Sequence, residues 1–430
     1  MKEDRYGLEL TTSSADARDA YVDAVDRMLA GNGGVEQRLL RAIKADPDFA
    51  LAHAALGRNH QLSGRDDVAK GTISTASGLV HDATGREKQH VEIFAHLVSG
   101  QTPAALELTR QHVKEFPRDA LALAPSCGVF GSIGFSGRID REAELLALLE
   151  PLAVHYGDDW WFSMVYSFAL TEVGQWGRGR ELVEQSLDQF RQNPNAAHTL
   201  AHALYEAGDD DTAARFLSGW LPELKSQSPM YCHIWWHYAL LLMAKGDFEQ
   251  SRQAFREHCL PGGSASSSIN FLTDSASFLW RSELAGAPTD VESWEAVSDY
   301  YATEFGKPGV FIDAHIGLSM AALGRAEEVE SCVLELQELA AAGRLPAGRT
   351  AADLTRAYDA FASEDWGRAI DLLEATISEV VRIGGSRAQR DLVTNTLLAA
   401  YVNAGRLDDA TDFLQRVHDR QPFRPVLGLV

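Results

Sequence analysis

The feature that most constrains this chain is a turn that recurs along nearly its whole length. A short segment, usually built on Gly, closes one amphipathic stretch and leads into a second, at Gly64, Gly100, Gly137, Gly174, Gly208, Gly246, Gly286, Gly324, Glu364 and Gly405. Successive turns lie 34 to 41 residues apart, which leaves room for two helices of roughly 12 to 15 residues and two short connections. Glycine suits a helix-ending position of left-handed backbone, where a side chain would clash. Five places later a small residue often follows, as Ala69, Ala105, Ala213, Ala369 and Ala410, and lets the two helices approach. Pro47, Pro117 and Pro194 stop second helices. Sustained alternation of the kind a strand needs is missing, and Ala and Leu dominate the periodic segments.

This layout resembles the tetratricopeptide repeat, and the interval from Gly174 to Gly208 has that repeat's length of 34. The expected fold is therefore all-α: a tetratricopeptide-like helical-hairpin solenoid, a right-handed superhelix of about ten units. We read residues 1-430 as one continuous repeat domain, with 1-30 as an N-terminal cap whose helix opens near Ser14 and 50-425 as degenerate units. PGGSASSS at 261-268 and RLPAGRT at 344-350 read as breaks, and the final PFRPVLGLV as a non-helical tail.

A repeat array of 430 residues escapes the usual limit on domain size, because each unit packs only on its neighbours. The net charge of -22, from 61 acidic and 39 basic residues, disfavours nucleic acid and anionic membrane surfaces as partners. The N-terminal residues lack the apolar run of a secretory signal, and no apolar stretch is long enough to span a bilayer. Cys127, Cys232, Cys259 and Cys332 form no close pair, so a reducing, cytoplasmic setting is expected.

Setting each closing turn at position 15 of its unit places the first helix at positions 2 to 14. In the tetratricopeptide architecture positions 2, 5, 9 and 12 of that helix face the concave surface. His90 and His198 fall at 5, His202 at 9 and His233 at 2. Cys127 and Asn395 also fall at 5; Cys127 reads as a small packing residue. The segments HTLAH and HIWWH carry histidines four apart, His198 with His202 and His233 with His237, so each pair leaves one side of its helix. Adjacent first helices lie about 10 Å apart, close enough for the four rings to share a ligand or an ion. Asp274 could orient an imidazole, Asp313 and His315 follow one unit later, Arg281 could meet an anionic group, and Tyr231, Trp235, Trp236 and Trp280 could form an aromatic wall. The remaining histidines, including His112 and His418, read as surface or packing residues.

Larger segments carry a more particular likeness. REKQHVEIF, WWFSMVYSFALTEVG, HTLAHALYEAGD, YCHIWWHYALLLMAKGDFEQS, NFLTDSASFLWRSELAG and DAHIGLSMAALGR together resemble the tetratricopeptide repeat protein 38 family over most of residues 14-425. The resemblance implies a cytosolic helical solenoid, with His90, His198, His202, His233, His237, Asp274 and His315 at the family's characteristic polar positions. It implies no particular reaction.

The leading functional expectation is a binding protein whose concave surface takes a small molecule or peptide through His90, His198, His202, His233, Trp236, His237, Asp274, Arg281 and His315. The alternative is an enzyme at the same place. In one form His198, His202, His233 and His237 hold a divalent transition metal as cofactor; in the other His198 or His233 is the base and Asp274 orients it. A third reading is an oligomeric scaffold, a homo-oligomer whose histidines satisfy one another.

Overall fold

A computed structural model describes residues 2–305, 309–417 and 426; His418 and the expected C-terminal tail, apart from Val426, lie outside the described residues. The chain is a stack of helical hairpins. Ala15–Ala30 pairs with Val35–Ala45, Ala50–Leu62 with Asp66–Leu79, and Gly85–Val98 with Thr102–Glu115. Beyond an irregular unit the pattern resumes with Trp160–Glu172 on Trp176–Gln189 and continues to Arg387–Asn403 on Leu407–Val417. Along much of the stack the first helix of one pair packs on the first helix of the next, as Pro194–Ala207 does on Tyr231–Ala244 and Tyr231–Ala244 on Ser268–Leu284. One short antiparallel ladder, Lys2–Glu3 with Glu9–Leu10, precedes the array. The expected breaks fall at 261–267 and 342–349, each followed by a new helix.

All ten turn residues adopt positive φ, from 59° at Glu364 to 94° at Gly286. Gly208 shows why the turn works. Its N–H donates to the Tyr205 carbonyl at 2.9 Å and the Asp209 N–H to the Leu204 carbonyl at 3.0 Å, a pairing that satisfies the last carbonyls of Pro194–Ala207. The Asp209 side chain then accepts from the Thr212 N–H at the start of the next helix. One Gly-Asp pair thus ends one helix and begins another, and Gly246-Asp247 and Glu364-Asp365 repeat the device. The small residue five places on is fully buried at Ala69, Ala213, Ala369 and Ala410.

The second interval, from Gly100 to Gly137, departs from the repeat. Only Ala120–Leu123 and a short 3-10 turn precede an irregular segment, and a helix resumes at Arg141–Leu149. This segment reaches the far half of the chain. Phe130 and Phe135 pack on Phe311 with ring centroids 5.5 and 6.3 Å apart, Arg382 Nη1 donates to the Gly137 carbonyl at 2.9 Å, and Arg141 Nε donates to that of Val381 at 2.8 Å.

The concave side is filled by the chain itself. Arg387–Asn403 packs on both Pro194–Ala207 and Ser268–Leu284. Trp280 Nε1 donates to Thr396 Oγ1 at 2.9 Å, the Arg387 N–H to Glu172 Oε2 at 3.0 Å, and Arg387 Nε pairs with Glu206 Oε2 at 3.1 Å. Near the N-terminus, Asn195 Nδ2 donates to the Leu29 carbonyl at 3.0 Å and Ser228 Oγ to that of Gly31 at 2.7 Å. These bonds join residues more than 100 positions apart and close the superhelix on itself.

Candidate functional site

Asn193 caps the first site helix and Pro194 occupies its first turn. The next inner helix, Tyr231–Ala244, stands where the two large core clusters meet: Ile234 belongs to the N-terminal one and Trp236 to the C-terminal one. That packing fixes the facing sides of both helices, and with them two histidine pairs.

The structure brings His198, His202, His233 and His237 into one group. Each offers a ring nitrogen within 4.8 Å of the others, and the ring centroids of His198 lie 4.5, 4.8 and 5.1 Å from those of His202, His233 and His237. The nearest nitrogens are the Nε2 atoms of His198 and His202, 2.9 Å apart. Exposure is 9% at His198, 0% at His202, 4% at His233 and 5% at His237, which leaves little bulk solvent at any ring. His202 Nδ1 and His237 Nε2 have no hydrogen-bond partner.

Asp274, from the following inner helix, sets the orientation of one ring. Its two oxygens accept from His233 Nδ1 at 3.0 and 2.9 Å, so the lone pair of His233 is at Nε2. Trp236 stacks on the same ring, 5.2 Å away and tilted by 12°, and Phe168 lies edge-on to His202 at 5.3 Å. Burial, reinforced by the neighbouring imidazoles, holds His198 and His237 well below the ordinary histidine range; His202 is pushed down to about 3 for the same reasons. Three of the rings are therefore neutral at pH 7 and carry lone pairs suited to a cation.

Other residues expected at this site are not members of the nitrogen group. His315 Nδ1 donates to the Phe311 carbonyl at 2.8 Å, and burial lowers its pKa to about 4. Burial raises the Asp313 carboxyl to about 7, and its Oδ2 has no partner. Arg281 donates from Nε to Ser277 Oγ at 3.2 Å and from Nη2 to the Ala388 carbonyl at 2.8 Å. Of the aromatic wall only Trp236 meets the rings: Trp235 stacks on His258, Tyr231 bonds to His258, and Trp280 packs with Tyr358 and Phe361. Cys127 is a buried packing thiol, and burial pushes its pKa far above the ordinary range.

His90 belongs to a second buried cluster. Its Nδ1 lies 3.1 Å from Asp119 Oδ2, which also accepts from Arg86 Nη1 at 2.6 Å and His112 Nε2 at 3.1 Å. Burial alone would raise the Asp119 pKa, but His90, His112 and Arg86 outweigh it and hold the carboxyl well below the usual range. Asp119 and His112 were not singled out from the sequence. The signal for Asp119 is slight, a capping position just after Pro117 where its side chain accepts from the Ala122 N–H.

The tetratricopeptide repeat family matches residues 170–231, a span that includes His198 and His202. Similar solved structures include the human IFIT1 dimer with m7Gppp-AAAA, at 14% identity over 95% of this chain and 90% of that one, with a TM-score of 0.39. The human IFIT1 dimer with PPP-AAAA shares 13% identity over 96% of each chain, with a TM-score of 0.40. The APC/C hetero-tetramer Cut9-Hcn1 shares 9% over 93% of this chain and 95% of that one, also at 0.40. From its stacked hairpins and the repeat matched within them, the chain is an all-α, tetratricopeptide-like solenoid.

Proposed function

We propose that this chain is a metal-binding repeat protein in which His198, His202, His233 and His237 hold one divalent transition-metal ion. The observation that carries the reading is the convergence of four buried ring nitrogens within 4.8 Å of one another. An ion about 2.0–2.1 Å from four nitrogens sets them roughly 3.3 Å apart, so small rotations of these rings reach that shell. Imidazole suits zinc, copper, nickel and iron, whereas carboxylate and carbonyl sets suit magnesium and calcium. The Asp274–His233 bond is the outer support that metal-bound histidines ordinarily have: it fixes the tautomer and raises the basicity of the ligating nitrogen.

An organic molecule or peptide in the groove is less well supported. The imidazoles are nearly inaccessible, and Arg387–Asn403 packs against both helices flanking Tyr231–Ala244. Four neutral ligands in a closed interior favour a role for the ion in holding the inner helices together over open-site hydrolysis. We also place the chain in the tetratricopeptide repeat protein 38 family and in the cytoplasm, where its four free thiols are compatible with a reducing medium. Among the described residues no helix is long and apolar enough to cross a membrane.

The test is elemental analysis of chain purified without added metal and again after incubation with zinc, cobalt or nickel. About one ion per chain is expected, and the double variant His198→Gln, His233→Gln should keep its helical circular dichroism and lose the ion. If the native chain takes up no more metal than this variant, the reading fails.

A further inference from the structure

Phe168 is buried without a place in the apolar core. It lies on Trp160–Glu172, the inner helix that precedes Pro194–Ala207 and packs on it, and its exposure is 7%. Its neighbours Ala169 and Leu170 join the N-terminal core cluster, yet among the described residues Phe168 belongs to none of the apolar clusters. It turns instead to the histidines. Its ring lies nearly parallel to that of His198, at 6.2 Å and 21°, and edge-on to that of His202, at 5.3 Å and 83°.

The row of inner helices thus bounds the four nitrogens differently on its two sides. On the side of Ser268–Leu284 stands a carboxylate, Asp274, bonded to His233. On the side of Trp160–Glu172 the histidines meet a hydrocarbon ring, which can neither ligate an ion nor hydrogen-bond to a water. His202 Nδ1 has no hydrogen-bond partner, so that ring is met by Phe168 where His233 is met by an acceptor. His198 is the most exposed of the four rings, at 9%, so what little solvent reaches the group reaches it at this pair.

A structural zinc site is closed by its four protein ligands, whereas a catalytic one keeps a position open to water. Removing a phenylalanine ring from a packed interior leaves a cavity that the surroundings close only in part, and beside a cation such a cavity is polar enough to hold water. We propose that Phe168 is the residue that closes the metal site. It keeps the loaded ion at four imidazoles by filling the space, at the His198–His202 end, where a further ligand would stand. The assignment rests on the metal reading above and deepens it: one hydrocarbon side chain outside the ligand set decides between an ion that only joins helices and one open to small ligands.

The full chain is loaded with cobalt(II), its stoichiometry measured, and its visible bands followed while sodium azide is added at constant ionic strength. The native chain should keep the strong bands of a four-coordinate ion and show no saturable azide response. Phe168→Ala should keep its helical circular dichroism and about one cobalt per chain, lose band intensity as the shell expands, and gain a saturable azide response. Phe168→Leu, which leaves less space, should respond only at higher azide concentrations; if the alanine variant does not fold, the leucine variant is read alone against the native chain. A purely structural role for Phe168 would lower the stability of both variants without opening the shell. An azide response in the native chain, or folded variants that lose the cobalt or bind it without responding, overturn the closing role and leave metal binding by the native chain standing. No cobalt uptake by the native chain overturns the metal reading and this assignment with it.

Discussion

Asp274 and His233 are joined across two successive inner helices, both carboxylate oxygens lying within 3.0 Å of one ring nitrogen. The bond leaves the opposite nitrogen of His233 as the acceptor. Replacing the carboxylate by an amide keeps the shape but removes the charge that makes the ring a good donor to a cation. Asp274→Asn should weaken metal binding about 10- to 100-fold with little change in helical content. Competition against a chromophoric chelator measures this, and an unchanged affinity would show that Asp274 does not act through His233.

Acid should destabilise the metal-free chain through the same rings. His202 binds its proton near pH 3 in the folded state and near 6.5 when unfolded. Between those values the unfolded chain holds more protons, so stability rises with pH across the window and is lost as pH falls. Each such ring contributes a slope of about 1.4 kcal/mol per pH unit at most. Glu172 and Asp313, raised by burial to about 8 and about 7, act in the opposite direction, because their protonated forms are favoured in the fold. The comparison must therefore be between the native chain and His202→Gln. Urea unfolding at pH 7 and pH 5 should show a smaller loss in the variant, and an equal loss in both would remove His202 from the account.

Glu364 is the one residue other than glycine with positive φ among the described residues, at 59°. It stands at a turn where the other nine units place glycine, so its Cβ meets the steric penalty of left-handed backbone. Glu364→Gly should stabilise the chain by about 1 kcal/mol, read as a higher midpoint in denaturant with an unchanged slope. A lower midpoint would mean that the Glu364 side chain contributes more than its backbone costs.

Gly64 and Gly137 separate turn geometry from long-range closure. Both have φ of 72°. An added Cβ at Gly64 meets nothing within 4 Å, whereas at Gly137 it would lie 2.2 Å from the Pro346 carbonyl carbon and 2.7 Å from the Ala347 nitrogen. Gly64→Ala should cost about 1 kcal/mol. Gly137→Ala should cost more, because backbone more than 200 residues away must move. Equal costs in thermal unfolding would imply that this closure contributes nothing to stability.

The repeat was legible because its signals are local. A glycine that ends a helix and an aspartate that begins the next leave their mark within a few residues, as at Gly208 and Asp209, and the phase they set put His198, His202 and His233 on the inner side. The i,i+4 spacing then joined His237 to them. The partners of His90 were not legible in the same way: Arg86 and His112 are gathered around it by Asp119, and residue spacing does not encode a meeting at a shared carboxylate. The irregular segment after Cys127 and the placement of Arg387–Asn403 were hidden for a related reason. Both are fixed by contacts across the superhelix, and a nearest-neighbour repeat carries no local mark of them.

Open solenoids can gain or lose terminal units, since each unit answers only to the ones beside it. Here the last inner helix also meets the middle of the array through Thr396, Ala388 and Arg387, so the number of units is tied to the circumference. Deleting one hairpin would shift every cross-ring partner by a whole unit. Evolution of such a chain is therefore expected to lengthen its turns and loops before it changes its repeat count.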